Sequence, residues 1–206
     1  WWTVPTASNN HGTGRGRLPR VTPELAIAAD RNDVSGVYRL LDRPWGYMLL
    51  MGVSRAGAGR REFFKKYAEI PPGSRVLEVG CGHGKNIECM PEGVEYTGYD
   101  PNPQYIRYAQ ERYGTRGRFS CISAEDFPRE LLGEFDIALV VSVLHHLDDT
   151  QVRALASGAQ RALRAGGRLL VWEPCWTPAQ GWLDRTMLSL DRGRFVRTAG
   201  QYSMLL

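Results

Sequence analysis

Three glycines at alternate positions, Gly80, Gly82 and Gly84, close an apolar run from Val76 to Val79 that carries one acid, Glu78. Glycine has no Cβ, so a loop of this composition lets a ligand lie against bare backbone. The spacing narrows the choice of ligand. A dinucleotide fingerprint, G-x-G-x-x-G, needs a glycine where this chain has Lys85. A P-loop needs more residues between Gly80 and Lys85, and a hydroxyl residue where Asn86 stands. Asp100 ends the run from Val94, 22 residues beyond Glu78. A carboxylate at a strand tip, about 20 residues past a glycine loop, offers acceptors to both hydroxyls of a ribose. Asp100 and Pro101 also read as the N-cap and first residue of the next helix, and the two roles are compatible.

Further residues with usable chemistry lie downstream. His145 and His146 follow the apolar run Phe135–Val141. A histidine there titrates near neutral pH and can accept a hydroxyl proton. Adjacent side chains in a helix or turn diverge, so one of the pair is expected to face a pocket, His146 ahead of His145. Glu173 either orients a polar group of a substrate or simply ends a strand. The four cysteines (Cys81, Cys89, Cys121, Cys175) form no C-x-x-C pair, so no metal site is expected and the thiols read as reduced. Cys81 reads as a small side chain that fits a tight turn.

These residues need a scaffold, and the hydrophobic pattern supplies one. Strands are expected over 75–79, 94–100, 118–122, 135–141 and 168–172. Helices are expected over 103–113, over 148–163 with Asp148 or Asp149 as cap and Gly166 as terminator, and from Pro178 to about Leu190. Strand–helix alternation implies a doubly wound, mostly parallel sheet. Ligands then bind beyond the carboxyl ends of its strands, where Glu78, Asp100, Ser123, Ser142 and Glu173 would gather.

Residues 1–20 mix Gly, Ser, Thr, Asn, Pro and Arg without periodicity and are expected to be a flexible segment. Residues 21–70 read as an N-terminal helical layer. Its pieces are 23–29 opened by Thr22, then 34–41, 45–51 and 54–70, stopped by Pro71-Pro72-Gly73. Residues 71–206 hold the sheet. Hydrophobic content of 43% and charged content of 23% are ordinary globular values. No apolar run approaches the roughly 20 residues that span a bilayer. No secretory signal is visible, and a cytoplasmic location is expected. Lys plus Arg exceeds Asp plus Glu by 26 to 22. That excess is spread over Arg15/Arg17/Arg20, Arg60/Arg61/Lys65/Lys66 and Arg192/Arg194/Arg197, which reads as solvated faces rather than a nucleic-acid footprint.

From Phe63 to Pro174 the chain resembles a class I S-adenosylmethionine-dependent methyltransferase of the small-molecule type. Val76–Gly84 matches the first motif, acid included, and Tyr99–Asn102 the second. Residues 121–128, CISAEDFP, are similar to the third, and 135–147 to the fourth. Residues 163–174 resemble the helix–turn–strand that follows. The resemblance implies a Rossmann-like sheet of order 3-2-1-4-5 under an N-terminal helical cap. It implies S-adenosylmethionine as cofactor, S-adenosylhomocysteine as its product, and a small-molecule acceptor methylated in line at O, N or C.

Residue by residue, Gly80, Cys81 and Gly82 would hug the methionine portion, and Glu78 would orient the loop and the amino group. Asp100 beside Pro101 would hold the ribose. Asn102 and Ala124 would flank the adenine, with Ser123 or Glu125 near its amino group. Ser142 would offer backbone to the methionine amine. The cap would bring Tyr38, Trp45 and Tyr47 to a substrate pocket or pack them on the sheet, with Glu173 also on the substrate side. The family adds a sixth strand and an antiparallel seventh, for which this sequence leaves no room. The expectation is either a truncated C-terminus or a minimal fold, with an open sheet edge that a second copy of the chain could cover. Two other readings stay open: an inactive relative that binds the cofactor, and an NAD-dependent oxidoreductase.

Overall fold

The segment Phe135–Val141 (β4) is apolar at every position but Asp136, and the sheet is built around it. Ile137, Leu139 and Val141 join one core with Phe63, Tyr96, Ile106 and Phe119. Ala138 and Val140 join another with Leu155, Tyr202 and Leu205. Successive side chains of a strand point to opposite faces, so a continuous apolar run needs cover on both. Phe135 shares the face of Ala138 because the pairing with β5 slips between Phe135 and Ile137.

The computed structural model describes residues 55–123, 126, 131–182, 185, 188 and 193–206. Four further strands complete the sheet: β1 (Arg75–Val79), β2 (Glu95–Asp100), β3 (Gly117–Cys121) and β5 (Leu163–Trp172). Every pair is parallel and the order is β3-β2-β1-β4-β5, as the resemblance implies. Helices α1 (Arg55–Lys66) and α2 (Pro103–Tyr113) contribute to the first core through Phe63, Ile106, Ala109 and Tyr113. Helices α3 (Asp149–Ala162) and α4 (Ala199–Leu205) contribute to the second through Val152, Leu155, Ala159 and Tyr202. Two residues each from β6 (Cys175–Trp176) and β7 (Arg197–Thr198) form a separate parallel pair.

Several element boundaries differ from expectation, each for a local reason. The cap of α2 is Asn102, not Asp100. The Asn102 side chain accepts from the N–H groups of Gln104 (2.9 Å) and Tyr105 (3.4 Å), and Pro103 takes the first helical turn. The cap of α3 is Asp148, in a reciprocal capping box with Gln151. Gly166 does not end that helix. The chain passes directly from Ala162 into β5, and Gly166 (φ 79°) lies within the strand. The segment after the glycine loop is only a 3-10 turn, Lys85–Cys89, before Pro91 and β2. The expected helices at 23–29, 34–41 and 45–51 lie outside the described residues.

Candidate functional site

The glycine loop hangs on the end of β2. The N–H groups of Gly80 and Cys81 both donate to the Tyr99 carbonyl, at 2.7 and 2.9 Å. The Gly82 N–H donates to Asp100 Oδ2 at 2.9 Å, and the Asn102 N–H donates to Oδ1 at 2.9 Å. Asp100 therefore ties two loops together through one oxygen each. An ionised carboxylate has about four lone-pair sites, so acceptor capacity remains on both oxygens. Burial raises its pKa, and the two backbone N–H donors work the other way.

Each glycine of the loop has left-handed backbone, with φ of 76°, 53° and 72° at Gly80, Gly82 and Gly84. Their surroundings differ. A Cβ on Gly80 would stand 2.3 Å from Val143 Cγ2, and one on Gly84 would stand 2.7 Å from Phe119 Cε1. Among the described residues nothing lies within 4 Å of a Cβ on Gly82. Gly80 is thus a packing contact between this loop and the one after β4. Gly82 faces open space beside the Asp100 carboxylate.

Beneath the loop, Glu78 is fully buried. It accepts from the Asn86 amide and from the Tyr96 hydroxyl. Burial pushes its carboxyl up to about 7, against the opposing pull of Tyr96, Asn86 and Arg60. Cys81 is buried, and burial raises its thiol far above the ordinary range, so it is an inert packing group rather than a nucleophile. His83, also buried, lays its ring 4.0 Å from Tyr105 of α2, and burial lowers its pKa.

Beyond the end of β4 lies Ser142, a non-glycine residue at φ 56° whose N–H donates to the Trp172 carbonyl at 2.9 Å. Backbone in that region is strained and persists only where neighbours fix it. Glu173 supplies the fixing. It is fully buried, and Oε1 accepts from the N–H groups of Val143 (2.6 Å) and Leu144 (2.9 Å). Its Oε2 lies 2.7 Å from His145 Nδ1. Both oxygens of Glu173 thus hold the loop after β4 from inside the protein. The two histidines do not diverge as expected: their rings lie 4.0 Å apart. Burial separates them instead. His145 is buried and His146 is exposed on the turn Leu144–His146.

Of the expected site residues, Glu78, Gly80, Cys81, Gly82, Asp100, Pro101, Asn102 and Ser142 all cluster at the carboxyl ends of β1, β2 and β4. Ser123 stands just beyond β3, where its hydroxyl donates to Asp126 at 2.7 Å. Tyr38, Trp45, Tyr47, Ala124 and Glu125 lie outside the described residues. Asn86, Tyr96 and Val143 were not anticipated. Tyr96 and Asn86 are legible only once β1 and β2 are placed side by side. Among the described residues no group of three His, Cys, Asp or Glu is arranged to hold a metal ion, and no helix is long and apolar enough to cross a membrane.

Comparison with known proteins agrees with this geometry. Residues 76–167 match a family model described as a methyltransferase domain. The chain is 30% identical over 131 residues to the thiol S-methyltransferase TMT1B of Homo sapiens, covering 60% of this chain and 53% of that one. It is 30% identical over 114 residues to a ubiquinone biosynthesis O-methyltransferase of Idiomarina loihiensis, covering 53% and 46%. The chain spans about half the length of the curated relatives it matches. In fold it is similar to phosphoethanolamine N-methyltransferase 2 of Haemonchus contortus, solved in complex with S-adenosyl-L-methionine. That likeness has a TM-score of 0.60 and 19% identity over 84% of this chain and 44% of that one. The YcgJ protein of Bacillus subtilis gives a TM-score of 0.57 at 24% identity, over 72% and 66%. By the match across the glycine loop, the Asp100 strand and β4, and by the sheet they build, residues 76–167 are similar to the methyltransferase domain of the class I S-adenosylmethionine-dependent methyltransferases.

Proposed function

We propose that the protein transfers a methyl group from S-adenosylmethionine to a small-molecule acceptor. The observation that carries this reading is the open face of Gly82 beside Asp100. A left-handed backbone turn with no atom of the described residues where its Cβ would point, next to a strand-end carboxylate with spare acceptor sites, fits a nucleoside-bearing ligand. Asp100 would accept from the ribose hydroxyls while its existing bonds hold the two loops in register. Gly80, Cys81 and Gly82 would line the methionine portion, and Asn102, Ser123, Ala124 and Glu125 the base. Asn102 would do so chiefly by its carbon atoms and side-chain amide nitrogen, since its side-chain oxygen caps α2 and its N–H donates to Asp100. When bound, the cofactor supplies an electrophilic methyl group. What the chain adds is alignment and exclusion of water. Tyr38, Trp45 and Tyr47 are proposed contacts of the acceptor.

His146 is the proposed proton acceptor where the nucleophile is a hydroxyl or thiol. It is the exposed member of the pair and sits on the turn after β4. His145, buried against Glu173, is a support. The accepting atom belongs to the proposal too: oxygen, nitrogen or carbon by family resemblance, with sulfur added by the thiol methyltransferase relative.

Calorimetric titration with S-adenosylhomocysteine and with NAD tests the first half. S-adenosylhomocysteine should bind at micromolar concentration and NAD should not. Asp100→Ala should weaken that binding at least tenfold, and an unchanged affinity would remove the ribose assignment. Methyl release from labelled cofactor, across a panel of phenols, quinones, thiols and amines, tests the second half. Intact binding with no turnover on any member would favour a non-catalytic cofactor binder.

A further inference from the structure

The arginines at 192, 194 and 197 read in the sequence as a solvated basic face, yet Arg197 is buried at 7% exposure. Its guanidinium is directed at the loop after β4 and at the segment beside it. Nη1 donates to the carbonyls of Leu144 and Phe195, both at 3.0 Å. Nη2 donates to the Leu147 carbonyl at 2.9 Å and to Asp149 Oδ1 at 2.6 Å, and Nε reaches that same oxygen at 3.0 Å. The rings of Phe195 and Tyr202 lie 5.6 and 5.7 Å from its Cζ. Two more contacts join this segment to the loop. The Phe195 N–H donates to the His145 carbonyl at 3.0 Å. A Cβ on Gly193 would stand 2.1 Å from His145 Cδ2, so only glycine lets the chain pass there.

Glu173 grips the same loop through opposite chemistry. It takes the N–H groups of Val143 and Leu144 and pairs with the His145 ring, while Arg197 takes the carbonyls of Leu144 and Leu147. His146 lies between these attachments. Hydrogen bonds to ionised groups are the strong ones, and a guanidinium holds several acceptors in a fixed fork. A loop gripped at both its donors and its acceptors by buried polar side chains has one favoured arrangement. Removing either grip leaves polar backbone buried without a partner.

We propose that Arg197 is a positioning residue for methyl transfer: acting with Glu173, it fixes the loop that carries His146. The segment 193–206 thereby sets the acceptor side of the site, while the cofactor side is set by the glycine loop and Asp100. This rests on the methyl-transfer reading above. Arg197 is remote from the reacting atoms in this account and acts through loop geometry, where misplacement by about 1 Å can cost on the order of a hundredfold in rate.

The test compares wild type, Arg197→Lys and Arg197→Met in the full chain by three readouts. These are kcat on whichever acceptor turns over, S-adenosylhomocysteine affinity, and amide hydrogen exchange. Lysine keeps the charge but loses the fork. The expected result is a kcat lower by about 10- to 100-fold, with cofactor-product affinity changed less than about threefold. The Val143 and Leu144 amides should exchange faster, with Gly80 and Cys81 unchanged. Asp149→Ala, at a side chain 70% exposed, loosens Arg197 without creating a buried cavity and should lower kcat several-fold with the fold intact. The proposal is overturned if kcat holds in folded Arg197 variants and in Asp149→Ala. It is also overturned if kcat and cofactor affinity fall together, which would mark a general structural role. Absent turnover in wild type counts against the methyl-transfer reading instead. The amide arm then decides the grip by itself, and unchanged exchange at Val143 and Leu144 sinks it.

Discussion

At the residue scale, two buried titratable groups beside the glycine loop respond to pH in opposite directions. Burial raises the Glu78 carboxyl to about 7 from an ordinary 4.5, so the folded chain prefers it protonated. Between those values the folded state binds more protons than the unfolded one, and stability falls as pH rises through that window. The full difference is on the order of 3 kcal/mol, at about 1.4 kcal/mol per unit. Glu78→Gln removes the titration while keeping an acceptor for the Tyr96 hydroxyl. Its denaturation midpoint should vary less than wild type between pH 4.5 and 7, and it should gain on wild type most above pH 7. Parallel pH curves for the two proteins would show that Glu78 titrates normally. His83 acts the other way. Burial lowers its pKa, so the folded chain prefers it neutral, and the stability it contributes is lost as pH falls below the ordinary histidine value of 6.5.

At the element scale, the strand-to-helix turn at 80–84 holds two kinds of glycine that substitution should separate. Gly80→Ala puts a methyl group 2.3 Å from Val143 Cγ2 on left-handed backbone, so it should destabilise the fold by more than about 2 kcal/mol. The Val143→Ala background should recover part of that loss. Gly82→Ala carries only the conformational cost, about 1–2 kcal/mol, because no described residue lies within 4 Å of its Cβ. It should still weaken S-adenosylhomocysteine binding at least tenfold, since the methyl group enters the space assigned to the cofactor. Equal loss of stability in the two variants, with equal binding, would show that the open face of Gly82 has no ligand. This turn was legible in the sequence because glycine spacing and an acid at a fixed offset are local signals. β1, α2 and β4 appear at their expected bounds for the same reason, since their apolar patterns are unbroken. The Glu173–His145–Arg197 arrangement was not legible. Its members lie 24 to 52 residues apart and meet only through the pairing of β4 with β5 and the return of the chain at β7. A buried arginine also looks like any other arginine until its acceptors, mostly backbone carbonyls, are in place.

At the scale of the whole molecule, one sheet separates two cores, and the cofactor side and the C-terminal elements depend on different ones. The first core holds Cys81, Tyr96, Ile106 and Phe119 near the glycine loop and α2. The second holds Leu144, Leu155, Tyr202 and Leu205, which join α4 to α3 and to the loop after β4. The strands run through both, so a loss in either core should lower the stability of the sheet as a unit rather than melt one side alone. Tyr202 is fully buried, and its hydroxyl donates to the Pro174 carbonyl at 3.4 Å. Tyr202→Ala should therefore cost about 3–5 kcal/mol in chemical denaturation followed by circular dichroism, in a single transition. A ligand that binds only the folded state adds about 2.7 kcal/mol at a hundred times its Kd. Since Tyr202 is in the core opposite the one that holds Cys81, S-adenosylhomocysteine at that ratio should add the same increment to the variant as to wild type. A smaller increment in Tyr202→Ala would mean that the second core reaches the cofactor through Val143 and Gly80. The division between a cofactor side and an acceptor side would then have to be abandoned.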